Sequence, residues 1–230
     1  MIHNKPSIYN APTIYNYGAG GGGGGGGGIA CIRCLAIGSY YYQIPINCAS
    51  NSTFEIGFNL VGDWGKNSCG IFAGYGTTYY PPIALNGINE NTSSFGIRLD
   101  DSQGIQKNFL KLYPGNFNFY HCKIYPKNGN DNTISAIDLQ GTEKTASMGG
   151  LLIGNPINTI RLFVNTWASN GSLSGFEIYY FRVIDSNEII LDLIPDEQNG
   201  VPGFTDNVSG NFYSPNNSAA FEAVKPRSPL

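Results

Sequence analysis

Residues able to perform acid–base or nucleophilic chemistry are few in this chain. The sequence has two histidines, His3 and His121, and His121 stands beside Cys122 in the aromatic segment NFYHCKIY. Neighbouring side chains of a β-strand point to opposite faces of its sheet, so His121 and Cys122 cannot face each other as base and nucleophile. The sequence therefore indicates no catalytic residue of this kind.

Paired carboxylates would indicate glycoside hydrolysis, and a strand presents two acids on one face when they are two or four residues apart. Asp100 and Asp101 are adjacent at a predicted strand end. Asp185 and Glu188 flank the turn DSNE, while Asp192 alternates with leucines and is interpreted as solvated. Because no strand carries an acid-x-acid pattern, we expect the protein not to be an enzyme.

Metal and phosphate sites are not indicated either. Cys31 and Cys34 form a CxxC motif, but a zinc ribbon needs a second close pair, which the sequence lacks. The segment Asn128–Asn132 carries a single acid and predicts a hairpin loop rather than a calcium loop. No Lys-Ser/Thr follows the glycine tract, as a phosphate loop would require. We expect no metal and no cofactor, and we interpret the five cysteines as reduced, partly buried thiols.

Aromatic side chains in predicted loops are the stronger functional signal. They stand in the segments GDWG, YYPP and NTWASNG. Aromatic faces stack on sugar rings while adjacent amides and carboxylates orient hydroxyls, and the same groups anchor protein interfaces. An alternative is that the two tryptophans cap the core from the loops. The candidate ligand-binding residues are Asp63, Trp64, Tyr79, Tyr80, Trp167 and Asn170.

The N-terminal segment 1–28 differs from the rest of the chain. It contains the triplet Ile-Tyr-Asn twice, followed by an unbroken tract from Gly20 to Gly28. The tract lacks the collagen repeat, so it is a flexible linker in isolation or packs closely in an oligomer. We interpret the segment as an attachment stem. Its candidate contact residues are Ile8, Tyr9, Asn10, Ile14, Tyr15 and Asn16.

Short β-strands separated by turn residues follow from residue 38 onward. Thr53–Val61, Ser94–Asp100 and Phe176–Ile184 alternate apolar and polar residues, and Ile189–Ile194 closes the series. Many short strands at such spacing indicate a β-sandwich or barrel. The predicted organisation is an attachment segment with a polyglycine tract (1–28), a connector (29–37), a β-sandwich (38–224) and a C-terminal tail (225–230).

Composition and charge limit the partners of this chain of 230 residues. Charged residues make up 13%, about half the usual share, and the formal net charge is −3 with scattered basic residues. Nucleic-acid binding is therefore not expected. The longest apolar stretch, Ile29–Gly38, is short and contains Arg33, so membrane insertion is not expected. The N-terminus has no apolar signal region, which indicates synthesis in a cytoplasm.

The C-terminal third carries a family resemblance. Its sequence is GFEIYYFRVIDSNEIILDLIPDEQNGVPGFTDNVSGNFY, and the matching pieces are Glu177–Asp185, Ile189–Pro195 and Gly200–Tyr213. These pieces resemble the closing part of the concanavalin A-like, laminin-G-like jelly-roll modules in predicted virion proteins of phages of gut bacteria. The upstream segments FEIGFNL and GGLLIGN also look like strands of this fold, and the resemblance spans residues 50–222.

The resemblance implies an all-β, two-sheet jelly-roll sandwich of the concanavalin A-like type, preceded by the extended glycine-rich stem. It also implies a phage virion protein, a head or tail fibre or appendage, assembled in the host bacterial cytoplasm. The stem would attach to other virion proteins and the jelly roll would bind host surface glycan or a protein. By analogy with fibres, a homotrimer is expected.

The sequence departs from the hydrolytic and metal-binding relatives of this fold. The acid-x-acid strand of the related glucanases and the metal-binding acids of legume lectins have no match, so no catalytic or metal residue is carried over. Two alternatives remain open: a glycan-degrading enzyme on the same fold, and a purely structural capsid decoration protein.

Overall fold

The structure, a computed structural model, describes residues 29–36, 38–60, 69–76, 83–91, 94–101, 106–112, 119–127, 131–137, 143–148, 155–164 and 176–225. Within these ranges the chain forms β-strands and one short 3-10 helix, Ser218–Ala220. The strands are β1 (Cys31–Cys34), β2 (Tyr42–Ala49), β3 (Thr53–Leu60), β4 (Cys69–Tyr75), β5 (Ile83–Asn91), β6 (Ser94–Asp101), β7 (Gln106–Leu112), β8 (Phe119–Lys127), β9 (Asp131–Ile137), β10 (Glu143–Met148), β11 (Pro156–Leu162), β12 (Phe176–Asp185), β13 (Glu188–Gln198), β14 (Val201–Asp206), β15 (Phe212–Tyr213) and β16 (Phe221–Val224).

Two antiparallel sheets form a jelly-roll sandwich, as the sequence predicts. The ten-stranded sheet has the order β10-β9-β8-β3-β12-β13-β14-β15, and β1 joins it by pairing with both β12 and β16. The six-stranded sheet has the order β2-β11-β4-β5-β6-β7. Strands distant in sequence are therefore neighbours in both sheets, because the chain crosses repeatedly between the two layers.

The core lies between the two sheets and is built by strand alternation. Phe54, Ile56 and Phe58 of β3 are buried, as the period-two pattern of that segment predicts. Phe72 of the six-stranded sheet packs edge-to-face on Phe181 of the ten-stranded sheet, with ring centres 5.1 Å apart. Aromatic side chains thus supply much of the apolar area that holds the layers together.

The hairpin of β12 and β13 forms through the DSNE turn. Ser186 and Asn187 both have positive φ, at 49° and 67°, which is the backbone that a tight hairpin turn of primed type needs. The predicted pairing of these two segments is confirmed by the register Phe181 to Leu193. Ser52 fixes the start of the turn by donating to the carboxylate of Asp185 at 2.6 Å.

The closing motif GFTDNVSGNFY has a structural role. Asp206 is buried, and one carboxylate oxygen accepts from the backbone N–H groups of Asp192 and Val208. Its other oxygen accepts from the N–H and hydroxyl of Ser209. At Gly203 a Cβ would lie 2.2 Å from the ring of Phe212, so only glycine allows β15 to pack this closely.

Several strands differ from the sequence-based assignment. Residues 29–37, assigned to a connector, contain β1, because Ile32 and Cys34 are buried in the core and the strand pairs on both sides. Strand β2 has no counterpart in the sequence-based assignment. It lies at an edge of its sheet, where a proline such as Pro45 is tolerated. The segment 151–153, predicted as a strand, and the stem 1–28 lie outside the described residues. Among the residues described, none forms a helix long and apolar enough to cross a membrane.

Candidate functional site

The loop residues predicted to contact a ligand lie outside the described residues. Asp63 and Trp64 fall in 61–68, Tyr79 and Tyr80 in 77–82, and Trp167 and Asn170 in 165–175. The six attachment residues of the stem fall in 1–28. These assignments stay predictions, and the described residues provide a separate candidate.

A tyrosine–arginine stack, formed by Tyr41, Arg161 and Tyr75, lies on the outer face of the six-stranded sheet. Ile160 and Leu162 are buried, so alternation turns Arg161 of β11 away from the core. The guanidinium carbon lies 4.6 Å from the ring centre of Tyr41 and 4.8 Å from that of Tyr75. A cation held between two aromatic faces is attracted by both rings.

Hydrogen bonds hold the stack in place. The Nε atom of Arg161 donates to the side-chain oxygen of Gln43 at 3.1 Å, and these two residues are direct partners across β11 and β2. The backbone N–H of Tyr41 donates to the side chain of Asn216 at 2.9 Å, and the N–H of Asn216 donates back to the Tyr41 carbonyl. The side chain of Arg161 and the backbone of Tyr41 are therefore held in place before any ligand arrives.

Burial favours the neutral form of Tyr75 in the stack. Burial raises the pKa of Tyr75, and the positive charge of Arg161 offsets part of that rise. Tyr75 therefore keeps its phenolic proton at neutral pH, and it can donate as well as accept a hydrogen bond. Tyr41, Tyr75 and Arg161 are all partly exposed, and Gln43 is exposed.

Arg161 differs from the other arginines whose side chains are described. Arg33 and Arg182 each contact two carboxylates, whereas Arg161 contacts none among the described residues. The ion pairs are Arg33 with Glu177 and Glu222, and Arg182 with Glu55 and Asp192. The stack thus holds an arginine whose charge is not neutralised by any acid in the described part of the chain.

The sequence carried only a faint signal for this stack. Arg161 is the single charged residue in the segment PINTIRL, and Tyr41 lies in a run of three tyrosines. Gln43 and Arg161 are 118 residues apart, and only the pairing of β11 between β2 and β4 brings the three strands together.

The outer face of the ten-stranded sheet carries charged groups that bind one another. Arg33 donates to one oxygen of Glu177 from Nε and from a terminal nitrogen, at 2.8 and 2.6 Å. The other oxygen of Glu177 accepts from the hydroxyl of Tyr179 at 2.9 Å and the amide of Asn59 at 3.2 Å. Four hydrogen bonds thus compensate the burial of this carboxylate. The buried Oδ1 of Asn59 has no partner among the described residues.

A second charged row crosses the same face. Lys123 pairs with Glu55, and Arg182 contacts both Glu55 and Asp192. Asp192, interpreted from the sequence as solvated, is instead paired with Arg182 and accepts from Asn207, because strand pairing places it directly opposite the arginine. This row cross-links four neighbouring strands.

His121 lies on this outer face and hydrogen-bonds the hydroxyl of Tyr180. Burial lowers the pKa of His121; the charge of Glu55 acts against this, and those of Lys123 and Arg182 act with it. Cys122 is buried in the core. The prediction that these neighbours cannot face each other is therefore confirmed.

The cysteines are packed as apolar groups. Cys31, Cys34, Cys48 and Cys122 are buried, and none of them forms a disulfide within the described part of the chain. Cys31 shares its strand face with Arg33, whereas Cys34 lies on the core side with Ile32, so the CxxC motif does not bring its sulfurs together. No cluster of three or more histidines, cysteines or acids suited to a metal occurs in the described part of the chain.

Comparison with known proteins places the fold. No protein-family model matches the chain, and no curated protein matches it in sequence. The structure is similar to that of a native heptameric SAP-like pentraxin from Limulus polyphemus, with a TM-score of 0.50 and 12% sequence identity. The match covers 70% of this chain and 76% of the pentraxin chain. At this identity the likeness shows the jelly-roll fold alone.

Glutamic peptidases are also among the similar structures. Scytalido-glutamic peptidase with a peptide-based transition-state analogue matches at 12% identity, and SCP-B of the eqolisin family, with a tripeptide Ala-Ile-His, matches at 11%. Both matches cover 81% of this chain and 96% of the peptidase, with TM-scores of 0.33 and 0.31. The expectation that the protein is not an enzyme, drawn from the spacing of its acids, is wrong as it stands, because enzymes are among these similar structures. TM-scores this low carry no argument for peptidase activity.

Proposed function

We propose that this protein is a phage virion appendage protein whose jelly roll binds a surface glycan through the tyrosine–arginine stack. The observation that carries the binding proposal is the arrangement of Tyr41, Arg161 and Tyr75, with the side chain of Gln43 beside them. The virion assignment rests on the sequence resemblance and on the repeated Ile-Tyr-Asn stem.

The chemistry of the stack suits a sugar. A pyranose ring has an apolar C–H surface that packs on aromatic groups, and hydroxyls that need directed donors and acceptors. Tyr41 and Tyr75 supply aromatic surface and phenolic hydroxyls, while Arg161 and Gln43 supply donors and an acceptor. Because hydrogen bonds already fix Arg161 and the backbone of Tyr41, little side-chain freedom is lost on binding.

The way the stem joins the domain fits an attached, displayed module. The glycine tract ends at Gly28, and β1 begins three residues later between β12 and β16. Arg33 of β1 is bound to carboxylates on both neighbouring strands. A pull on the stem would therefore be carried by two strands of the sheet. We propose a homotrimer joined to other virion proteins through the stem.

The test is a glycan array that includes host cell-surface polysaccharide, probed with the full chain and with Tyr41→Ala/Tyr75→Ala. We expect specific binding by the wild type and a loss of about tenfold or more in the variant, because both stacking faces are removed. The matched control is Tyr125→Ala, which removes a partly exposed tyrosine near Lys123 on the other sheet and leaves binding unchanged. Equal binding by wild type and double variant would reject the stack as the site.

The same samples separate the alternative functions. Chromatography of the glycan after incubation detects shortened products. Such products would show that the protein degrades glycan, and the proposed binding function would be replaced by an enzymatic one on the same fold. A folded, assembled chain that binds no glycan would assign the jelly roll to particle structure, as in a decoration protein. Electron microscopy of immunolabelled particles tests the virion assignment, and absence of label from purified particles would overturn it.

A further inference from the structure

We infer that the tyrosine–arginine stack selects glycans that carry a carboxylate, with Arg161 as the residue that binds it. This inference rests on the proposed glycan-binding function and names the ligand class of the same site. The observation behind the inference is that Arg161 is held in place, is partly exposed, and has a charge that no described acid neutralises.

The first argument comes from the other two arginines. Arg33 and Arg182 each bind two carboxylates, which is the usual way to stabilise an ordered guanidinium on a sheet. Arg161 is ordered by two rings and by the neutral oxygen of Gln43 instead. No acid among the described residues therefore competes with an incoming anion for its positive charge.

The second argument is geometric. The two ring centres lie 4.6 and 4.8 Å from the guanidinium carbon, and Gln43 takes the Nε donor. The guanidinium also donates to the hydroxyl of Tyr75, and the remaining donors are terminal N–H groups in the guanidinium plane. Two of them in parallel match the two oxygens of a carboxylate, whereas the rings beside them match the sugar that carries it.

The third argument is the surrounding charge. The outward side chains described next to Arg161 on β2 and β11 are uncharged: Gln43, Pro45, Asn47 and Thr159. No acid at these positions would repel an anion. Among the side chains described on β2 and β11, Arg161 is thus the one charged group on this face, which favours an anionic ligand over a neutral one.

The experiment compares two probes that differ only in the carboxyl group: an oligogalacturonate and its carboxyl-reduced counterpart. Isothermal titration of the full chain is expected to give affinity about tenfold or more tighter for the acidic probe, since hydrogen bonds to charged groups are stronger than neutral ones. The difference should shrink between 50 and 500 mM NaCl, because the ion pair is partly exposed. A sulfated oligosaccharide of the same length is the third probe, and tighter binding of the sulfate ester would overturn the carboxylate assignment.

Variants identify the residue. Arg161→Gln should bind both probes equally, and Arg161→Lys should keep part of the preference because its charge remains while the paired donors are lost. Lys225→Gln removes the same charge from an exposed position and should leave the preference intact. Folding of each variant is checked by urea unfolding.

The outcomes distinguish this inference from the function beneath it. One outcome is that the wild type binds the acidic and reduced probes with equal affinity while Tyr41→Ala binds neither. That outcome would overturn the carboxylate preference and would support glycan binding by the stack. If glycans from the array bind but neither galactose-based probe does, the same comparison is made with the array's own acidic glycan and its reduced form. Absence of binding to every glycan would reject the proposed function itself.

Discussion

Arg33 and Glu177 join the first strand of the domain to the centre of the ten-stranded sheet. Two nitrogens of Arg33 donate to one oxygen of Glu177 at 2.8 and 2.6 Å, and a third donates to Glu222 at 2.7 Å. Glu177 is only 3% exposed, so these partners replace the water that its carboxylate loses on burial. Strand β1 has just four residues, and this ion pair compensates for its small ladder of hydrogen bonds.

Replacing Arg33 by glutamine should destabilise the domain by about 2–3 kcal/mol, because it leaves the buried carboxylate of Glu177 without its cation. The free energy of unfolding in urea measures the loss. Lys225→Gln is the control for charge removal and should change stability by less than about 0.5 kcal/mol. Arg33→Met with Glu177→Met should recover most of the stability, and a stable Arg33→Gln single variant would contradict the role given to the pair.

Gly203→Ala should lower the free energy of unfolding by about 1–3 kcal/mol, since the added Cβ would meet the ring of Phe212 and the carbonyl of Tyr213. Gly210 provides a matched comparison, because it has a φ of 75° and open space around its Cα. Gly210→Ala should lower the free energy of unfolding by about 1 kcal/mol, through backbone strain at positive φ alone. Urea unfolding that ranks Gly210→Ala as the more damaging change would contradict the close packing of β15.

Stability should fall as pH drops from about 7 to 5, through His121. Burial lowers the pKa of His121 in the folded chain, so below the unfolded pKa of about 6.5 the unfolded chain binds more protons. The stability that comes from keeping His121 neutral is fully present above the unfolded pKa, and it is lost as the pH falls toward the folded pKa. Urea unfolding from pH 5 to 8 measures the slope.

A variant isolates this histidine from other titrating groups. His121→Gln keeps a polar side chain next to Tyr180 and should flatten the slope between pH 5 and 7. His3→Gln, in the stem, serves as the matched substitution. An unchanged slope in His121→Gln would show that His121 titrates equally in the folded and unfolded chains.

The buried thiols should resist alkylation in the folded protein. Burial raises the pKa of Cys31 and Cys48 to about 12 and that of Cys122 in the same direction, so little thiolate forms at pH 8. In a Cys69→Ser background, iodoacetamide should leave the folded protein essentially unlabelled. In urea it should label the four remaining cysteines. Rapid native labelling followed by mass spectrometry would contradict the burial of these sulfurs.

Strands with regular alternation and strong turns could be predicted from the sequence, whereas contacts between distant segments could not. The alternation of β3 and the DSNE turn between β12 and β13 are local patterns, and both appear in the structure. Strand β1 is too short to show a period, and Pro45 obscures β2. The tyrosine–arginine stack depends on which strands are neighbours, and no local pattern encodes that order.

Predictions from individual charged residues failed for a related reason. Asp192 alternates with leucines, which correctly places it on the outer face. Its partner Arg182 lies on the preceding strand, and the register of the hairpin decides whether the two meet. A sequence pattern gives the face of a side chain, but pairing across strands gives its electrostatic environment.

The pairing of β1 with β16 brings the entrance and exit of the domain together. The N–H of Ala30 donates to the carbonyl of Val224 at 2.7 Å, so the chain enters and leaves the fold at the same corner. A domain whose first and last strands are neighbours can be inserted into a loop of another protein, because its two ends lie close together. The first and last described strands thus give the domain a single point of attachment to the rest of a polypeptide.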